Sequence, residues 1–295
     1  MATVFGIDHR YFAVGSIAAS LGVAIYATYR LTRASGSTSP SEYYETQKQV
    51  NEYLVFHYGK PKEVLAYEDF GPTDSLDFPK RCAELCLKHY KPKMGVPNRA
   101  LDIGCAVGRS TFELARVVDE AIGIDYSRAF VDACNEMKDK GSMDYQMTIE
   151  GDLCTELKAY VPVDINRQKT KFAQGDACNL PENLGQFGVI LAANLVCRLH
   201  SPREFLHRLA ELVAPGGILV ITAPYTWLQQ FSDKSSWLGG YKDKDGRPVT
   251  GFQTLKKELA PWFDLVEDRN MPFLIKETAR KHQWTVAHAT VWSRK

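Results

Sequence analysis

The stretch Ala100-Leu101-Asp102-Ile103-Gly104-Cys105-Ala106-Val107-Gly108-Arg109-Ser110 decides how the rest of the chain is read. An apolar run, Arg99–Ile103, has the length of a buried strand; it enters a turn at Gly104, and a helical pattern opens after Gly108. Glycines at those two places let the backbone turn sharply and let a ligand lie against bare peptide N–H groups. A dinucleotide site uses G-x-G-x-x-G to seat a pyrophosphate. This turn is G-x-x-x-G, with Asp102 two residues ahead of the first glycine. A carboxylate there repels a pyrophosphate and suits the ammonium of an amino-acid ligand.

Outward from this turn the chain alternates short apolar runs with helical patterns. The runs Glu120–Ile124, Lys171–Ala173, Phe187–Ala192 and Gly217–Ile221 read as buried parallel strands. Between them Arg109–Val118, Ala129–Lys138 and Pro202–Leu212 read as helices, which makes βαβ units and a right-handed doubly wound sheet. Asp125 closes the second strand, where an acid can accept both ribose hydroxyls, and Tyr126 follows it. Gly175-Asp176-Ala177 follows the third strand, where a carboxylate can take the adenine amino group. Ala192-Ala193-Asn194-Leu195 closes the fourth at the carboxyl edge, where open sheets bind ligands. For any one of these carboxylates loop solvation or helix capping is an alternative. Their joint order points to S-adenosylmethionine, with Asp102, Gly104, Cys105 and Gly108 at the first turn and Asp125, Tyr126, Asp176, Ala177 and Asn194 beyond it.

The remaining segments fill in the architecture. Tyr43–Tyr58 and Phe78–Tyr90 are helical patterns; the first carries the stripe Tyr43, Tyr44, Tyr53, Phe56 and Tyr58, which suits core packing or a lid. Trp227–Gly251 is a polar, aromatic, Gly-rich excursion, Leu255–Phe263 a further helix, and Trp284–Trp292 (WTVAHATVW) alternates like a late edge strand. The expected fold is therefore α/β: a seven-stranded, mostly parallel, doubly wound sheet of the Rossmann-like class I methyltransferase type.

Ahead of this body, Tyr11–Tyr29 has no charged side chain and, as a helix, spans about 30 Å, the thickness of a bilayer core. Tyr11, Phe12, Tyr26 and Tyr29 sit at its ends as aromatic belts do, and Arg30 and Arg33 place the body on the cytosolic side. A cleaved or soluble helix is the alternative. The expected organisation is a membrane anchor over 1–31, a Ser/Thr/Gly-rich linker over 32–41 and a catalytic domain over 42–295.

The formal net charge of +1 implies no polyanionic partner, and no basic stripe or Asn-Pro-Pro-aromatic motif suggests a nucleic-acid substrate. The seven cysteines are scattered and read as free thiols in a reducing compartment; Cys105, Cys154, Cys178 and Cys197 lie in or beside apolar runs, as buried thiols do. No metal-ligand spacing occurs around Cys82 and Cys86.

The segments ALDIGCAVGRSTFELA (100–115), GIDYSRAF (123–130), QGDACNL (174–180), VILAANLVCRL (189–199), APYTW (223–227), WLGG (237–240) and ETARKHQWTVAHATVW (277–292) resemble one family. They are similar to the methyltransferase domain of the bifunctional ovothiol-biosynthesis enzymes, the 4-mercaptohistidine N-methyltransferases. The resemblance runs from Tyr43 to Trp292 and implies methyl transfer to an imidazole ring nitrogen of 5-thiohistidine, giving ovothiol. Those enzymes also carry a non-haem iron sulfoxide synthase domain, for which this chain shows no histidine cluster. The substrate is then expected from a separate sulfoxide synthase, or it is a different imidazole, a thiol, a carboxylate or a peptide-borne histidine. A catalytically silent, membrane-tethered binding protein of the same fold is the reading from another class.

For catalysis, Tyr225 and Asn194 stand at strand ends on the edge facing the sulfonium and are expected to orient the ring. Glu277 and Arg280, three apart and on one face if Lys276–Lys281 is helical, would clamp the substrate's ammonium and carboxylate, or form a surface salt bridge. Trp227, Trp237 and Trp284 are candidates for pocket walls or for core.

Overall fold

The computed structural model describes residues 44–67 and 69–295, together with two short strands near the N-terminus, Thr3–Val4 and Ile7–Asp8, which pair antiparallel. Residues 9–43, which hold the uncharged run Tyr11–Tyr29 of the expected membrane anchor, the expected linker and Tyr43, lie outside the described residues. Among the described residues no helix is long and apolar enough to cross a membrane.

Residues 43–295 form one compact unit. It opens with helix α1 (Gln47–Tyr58), whose N-cap Thr46 accepts a hydrogen bond from the Gln49 N–H. A one-turn helix α2 (Pro61–Val64) and helix α3 (Phe78–His89) follow. The alternating part then runs β1 (Arg99–Ile103), α4 (Arg109–Leu114), β2 (Glu120–Asp125) and α5 (Arg128–Lys140). It continues through β3 (Ser142–Glu150), β4 (Leu153–Tyr160), β5 (Thr170–Gln174) and β6 (Phe187–Ala193). Helix α6 (Pro202–Leu212), β7 (Val213–Ala223), helix α7 (Gly251–Leu259), β8 (Phe263–Lys276) and β9 (His282–Arg294) complete it.

The central sheet has seven strands in the order β8-β9-β7-β6-β1-β2-β5. Pairings β7–β6, β6–β1, β1–β2 and β2–β5 are parallel, and β9 alone runs against its two neighbours. The chain builds outward from β1 to β5 on one side and returns to β6 on the other, so β1 and β6 flank the topological switch point. Two apolar clusters cover the two faces: α1, α3 and α4 contribute to one with Leu54, Cys82 and Phe112, and α6 and α7 to the other with Phe205, Leu209 and Leu259. That double cover explains why β6 reads as an uninterrupted apolar run.

The structure differs from expectation in several places. Residues 142–160 form an outlying two-stranded hairpin, β3–β4, that buries only Tyr145 and Ala159 and exposes Leu153 and Cys154, so Cys154 is not a buried thiol. The alternating segment 284–292 belongs to the strand next to the edge rather than to the edge itself, and its residues 288–292 are paired on both sides. The edge belongs to β8, whose Asp264, Glu267, Asp268 and Arg269 are the charges that guard an open strand. The expected helix over 276–281 is the turn of the β8–β9 hairpin, with Glu277 N–H and Thr278 N–H both donating to the Lys281 carbonyl. Cross-strand pairing up to Lys276↔His282 leaves too few residues for a helical turn. The helix expected over 255–263 begins at Gly251, because Thr250 and Gln253 form a capping box there, and ends before Phe263 enters β8.

Candidate functional site

The β1–α4 turn is built as its sequence requires. Gly104 and Gly108 have φ of +75° and +85°, and Ala106 between them is also left-handed at +47°. A Cβ on Gly108 would stand 2.9 Å from Cys134 Sγ and 3.0 Å from the Phe172 ring, so this residue must also lack a side chain for the turn to fit against α5 and β5. Beside the turn a cavity of about 300 Å³ opens at the carboxyl ends of the parallel strands. It draws its floor from Asp102, Gly104, Cys105 and Ala106 after β1, from Asp125 at the end of β2, and from Ala193, Asn194 and Leu195 after β6. Its walls are Tyr44, Tyr53, Phe56 and His57 of the N-terminal segment, Phe78, Phe130 and Phe273. Of the aromatic stripe, Tyr58 is anchored in the core through its hydroxyl on the Val107 carbonyl, while Tyr44, Tyr53 and Phe56 line the cavity.

Asp102 is 1% exposed. The Thr111 hydroxyl donates to its Oδ2 at 2.7 Å, and among the described residues it has no ion pair. Burial pushes its carboxyl up to about 7, with the neighbouring Asp125 charge adding to the rise. Asp125 accepts the N–H of Ser127 on Oδ1 and of Ala106 on Oδ2, and burial raises it to about 6 against those two bonds. Each carboxylate oxygen has a further lone pair to offer. His57 is held neutral: burial, then the Arg109 guanidinium, lower it to about 3. Its Nδ1 accepts from the Arg109 N–H at 3.4 Å.

Asn194 stands in the left-handed region at φ +54°, with its Oδ1 accepting the Thr222 hydroxyl at 2.9 Å. Asp176 and Ala177 follow β5 on the same edge; Gly175 N–H donates to the Asp125 carbonyl, which sets this loop beside the cavity rather than in its wall. Tyr126 is exposed next to Asp125.

Three catalytic candidates are not brought to the cavity. Tyr225, at φ +52°, turns its ring away into a separate surface pocket with Trp227, Tyr241 and Phe252. There its hydroxyl meets His288 Nδ1 at 3.0 Å, while His288 Nε2 meets Asp268 at 2.8 Å. The residues on either side of it, Pro224 and Thr226, line the cavity instead. Glu277 is engaged by Lys281 and Gln283, and Arg280 is exposed over the Tyr67 ring. Trp227 packs against Trp237, and Trp284 is exposed with its indole on Ser75, so none of the three walls the cavity.

The sequence reading missed Arg198, Gln283 and Thr285, all of which line the cavity. The Arg198 guanidinium lies over the Phe231 ring and donates through Nη1 to the Thr226 carbonyl at 2.8 Å. Only a charge placed just after Asn194, on an otherwise apolar segment, could have signalled it.

A methyltransferase-domain model matches residues 77–269. The chain belongs to the methyltransferase domain family. It is an S-adenosylmethionine-dependent methyltransferase, with the class I strand order described above. Among solved structures, the chain is similar to the N-methyltransferase NodS from Bradyrhizobium japonicum WM9 in complex with S-adenosyl-L-homocysteine, at 14% identity and a TM-score of 0.47, over 83% of this chain and 98% of that one. The YcgJ protein from Bacillus subtilis matches at 12% identity and a TM-score of 0.47, over 73% of this chain and 98% of that one. A SAM-dependent methyltransferase from Methanosarcina mazei matches at 14% and 0.46, over 71% and 96%. No curated protein matches the chain in sequence.

Proposed function

We propose that this methyltransferase transfers a methyl group from S-adenosylmethionine to an imidazole ring nitrogen of 5-thiohistidine. The observation that carries the cofactor assignment is Asp102: a buried carboxylate in the cavity floor, two residues before a left-handed glycine, with no ion pair among the described residues. An amino-acid ammonium supplies the opposite charge. In this reading Asp125 takes the ribose hydroxyls, and Asp176, Ala177 and Tyr126, which stand beside the cavity rather than in its wall, serve the adenine end. When bound, S-adenosylmethionine supplies an electrophilic methyl on a sulfonium.

The chain's own contribution is chiefly proximity and exclusion of water. Tyr44, Tyr53, Phe56 and Phe78 close the cavity with apolar surface. Asn194 Oδ1 takes the Thr222 hydroxyl on one lone pair and keeps a second to accept the N–H of an imidazole, which fixes the tautomer and leaves the other ring nitrogen bare for attack. Arg198 takes the part first given to Arg280: its fork of donors suits the carboxylate of a small amino acid. The choice of 5-thiohistidine is supported by the resemblance over Tyr43–Trp292 and by this pairing of an amide with a guanidinium in a small aromatic cavity.

The test is to incubate the full chain with S-adenosylmethionine and 5-thiohistidine, with histidine and a simple thiol as competitors, and to follow product mass. One added methyl on 5-thiohistidine is expected, lost in Asp102→Ala. Methylation of a competitor alone would discard the substrate while keeping the enzyme. The segment Tyr11–Tyr29 is proposed as a membrane tether with the body toward the cytosol, supported by its uncharged run; alkaline extraction of membranes should leave the full chain in the pellet, and release would overturn it.

A further inference from the structure

Beyond the methyl-transfer cavity, Asp176, Cys178 and His200 converge on one point of the carboxyl edge. Their ligand atoms, a carboxylate oxygen, Sγ and a ring nitrogen, all lie within 4.8 Å of one another. Asp176 and Cys178 come from the loop after β5, and His200 from the segment between β6 and α6. A tetrahedral zinc ion with ordinary bond lengths sets its ligands about 3.4–3.6 Å apart. Asp176 Oδ2 and His200 Nε2 are already 3.4 Å apart.

The surroundings are arranged as an outer shell. His200 Nδ1 meets the Ser201 hydroxyl at 3.1 Å, so a proton on Nδ1 has an acceptor there and Nε2 can serve as the ligand. Asp176 Oδ1 is held by the Cys178 N–H at 2.8 Å, leaving Oδ2 for the ion. The Cys178 thiol is half-buried and points near the Ser201 carbonyl at 3.8 Å. A sulfur–nitrogen–oxygen set selects zinc-class ions over magnesium or calcium, and three protein ligands leave a fourth position to water on the exposed His200 side.

We propose that Asp176, Cys178 and His200 bind one zinc-class divalent cation, and that the bound ion competes with the methyl donor for Asp176. As the metal–sulfur bond forms, Cys178 Sγ–H gives its proton to solvent, so binding strengthens as pH rises. The competition rests on the reading of Asp176 as an adenine contact; the metal site itself does not.

Cobalt(II) added to the full chain should give a sulfur-to-cobalt charge-transfer absorption at one equivalent, bleached by zinc. Cys178→Ser should abolish that absorption with the other six cysteines intact. His200→Gln should weaken cobalt binding about tenfold or more. Absorption that is absent, or that survives Cys178→Ser, overturns the site and leaves an exposed Asp176–His200 hydrogen bond only. In turnover assays zinc should raise the KM for S-adenosylmethionine with kcat unchanged, and not in Cys178→Ser. A KM indifferent to zinc while the cobalt absorption is present overturns the competition. An enzyme that never turns over tells against the proposed reaction, and the cobalt signal still reads the site.

Discussion

At the scale of single residues, the two buried acids govern the pH response and, in the proposed reading, the affinity for the methyl donor. Asp102 and Asp125 are held near 7 and 6 by burial, above the ordinary carboxylate value of about 4. Raised values mean that the folded chain keeps protons that the unfolded chain has already lost. Their contribution to stability is therefore complete below about pH 4 and is lost as pH rises through 6 and 7. Urea midpoints of the ligand-free chain should fall over that range, and Asp102→Asn should flatten the fall; an unchanged slope in the variant would refute the assignment. An ammonium arriving beside Asp102 favours its charged form, so cofactor binding near pH 6.5 should release protons. Calorimetry in two buffers of different ionisation enthalpy measures this, and identical heats would count against it. Gly108→Ala tests the turn itself: the left-handed backbone costs about 1–3 kcal/mol, and the methyl meets Cys134 and Phe172 besides. A clear loss of Tm is expected, with cofactor binding weakened even where the chain still folds.

At the scale of elements, the site depends on pieces that never touch a ligand. Helix α1 buries Val50, Leu54 and Val55 against the core and presents Tyr53, Phe56 and His57 to the cavity. Leu54→Ala should cost about 2–5 kcal/mol and raise the KM for the methyl donor, since the wall moves with the helix; a stability loss with KM unchanged would uncouple the two. The segment after β7 is similarly fixed from behind. Asp268 and His288, on the β8–β9 hairpin, hold Tyr225, and the next residue's carbonyl holds Arg198. Tyr225→Phe removes one hydrogen bond, worth about 1 kcal/mol of stability. If Arg198 holds the substrate as proposed, the effect on turnover should fall on the KM for that substrate rather than on kcat, because Arg198 loses its placement while the methyl donor keeps its own. An equal loss of kcat would return Tyr225 to the chemistry.

At the scale of the whole molecule, the antiparallel strand β9 ties the carboxyl-edge site to the far end of the sheet. Trp292 is 1% exposed and its indole donates to Thr290 Oγ1, inside the cluster that covers the α6–α7 face. Truncating it to alanine should cost about 3–5 kcal/mol, read as a lower urea midpoint of the entire domain. The seven-stranded order explains how one strand can matter so widely: β9 pairs with both β8 and β7, and Thr285 of the same strand stands in the cavity wall.

Local pattern alone was enough to determine the parallel half of this protein. Apolar runs closing at Ile103, Asp125 and Ala193, with helical patterns between them, read as a doubly wound sheet. The glycine turn was legible because positive φ and close approach leave little choice of residue. The charged strand β8 and the polar hairpin β3–β4 were not legible, since strands with one face in water carry no continuous apolar signal. Side-chain direction was decided by tertiary structure. A left-handed residue at 225 turned a tyrosine out of the cavity and its neighbours in, and a hairpin rather than a helix carried Arg280 away. Arg198 entered because the chain after β6 folds back beneath Thr226. Spacing along a chain names the edge of a sheet on which a residue stands; which way its side chain points depends on the neighbours that packing supplies.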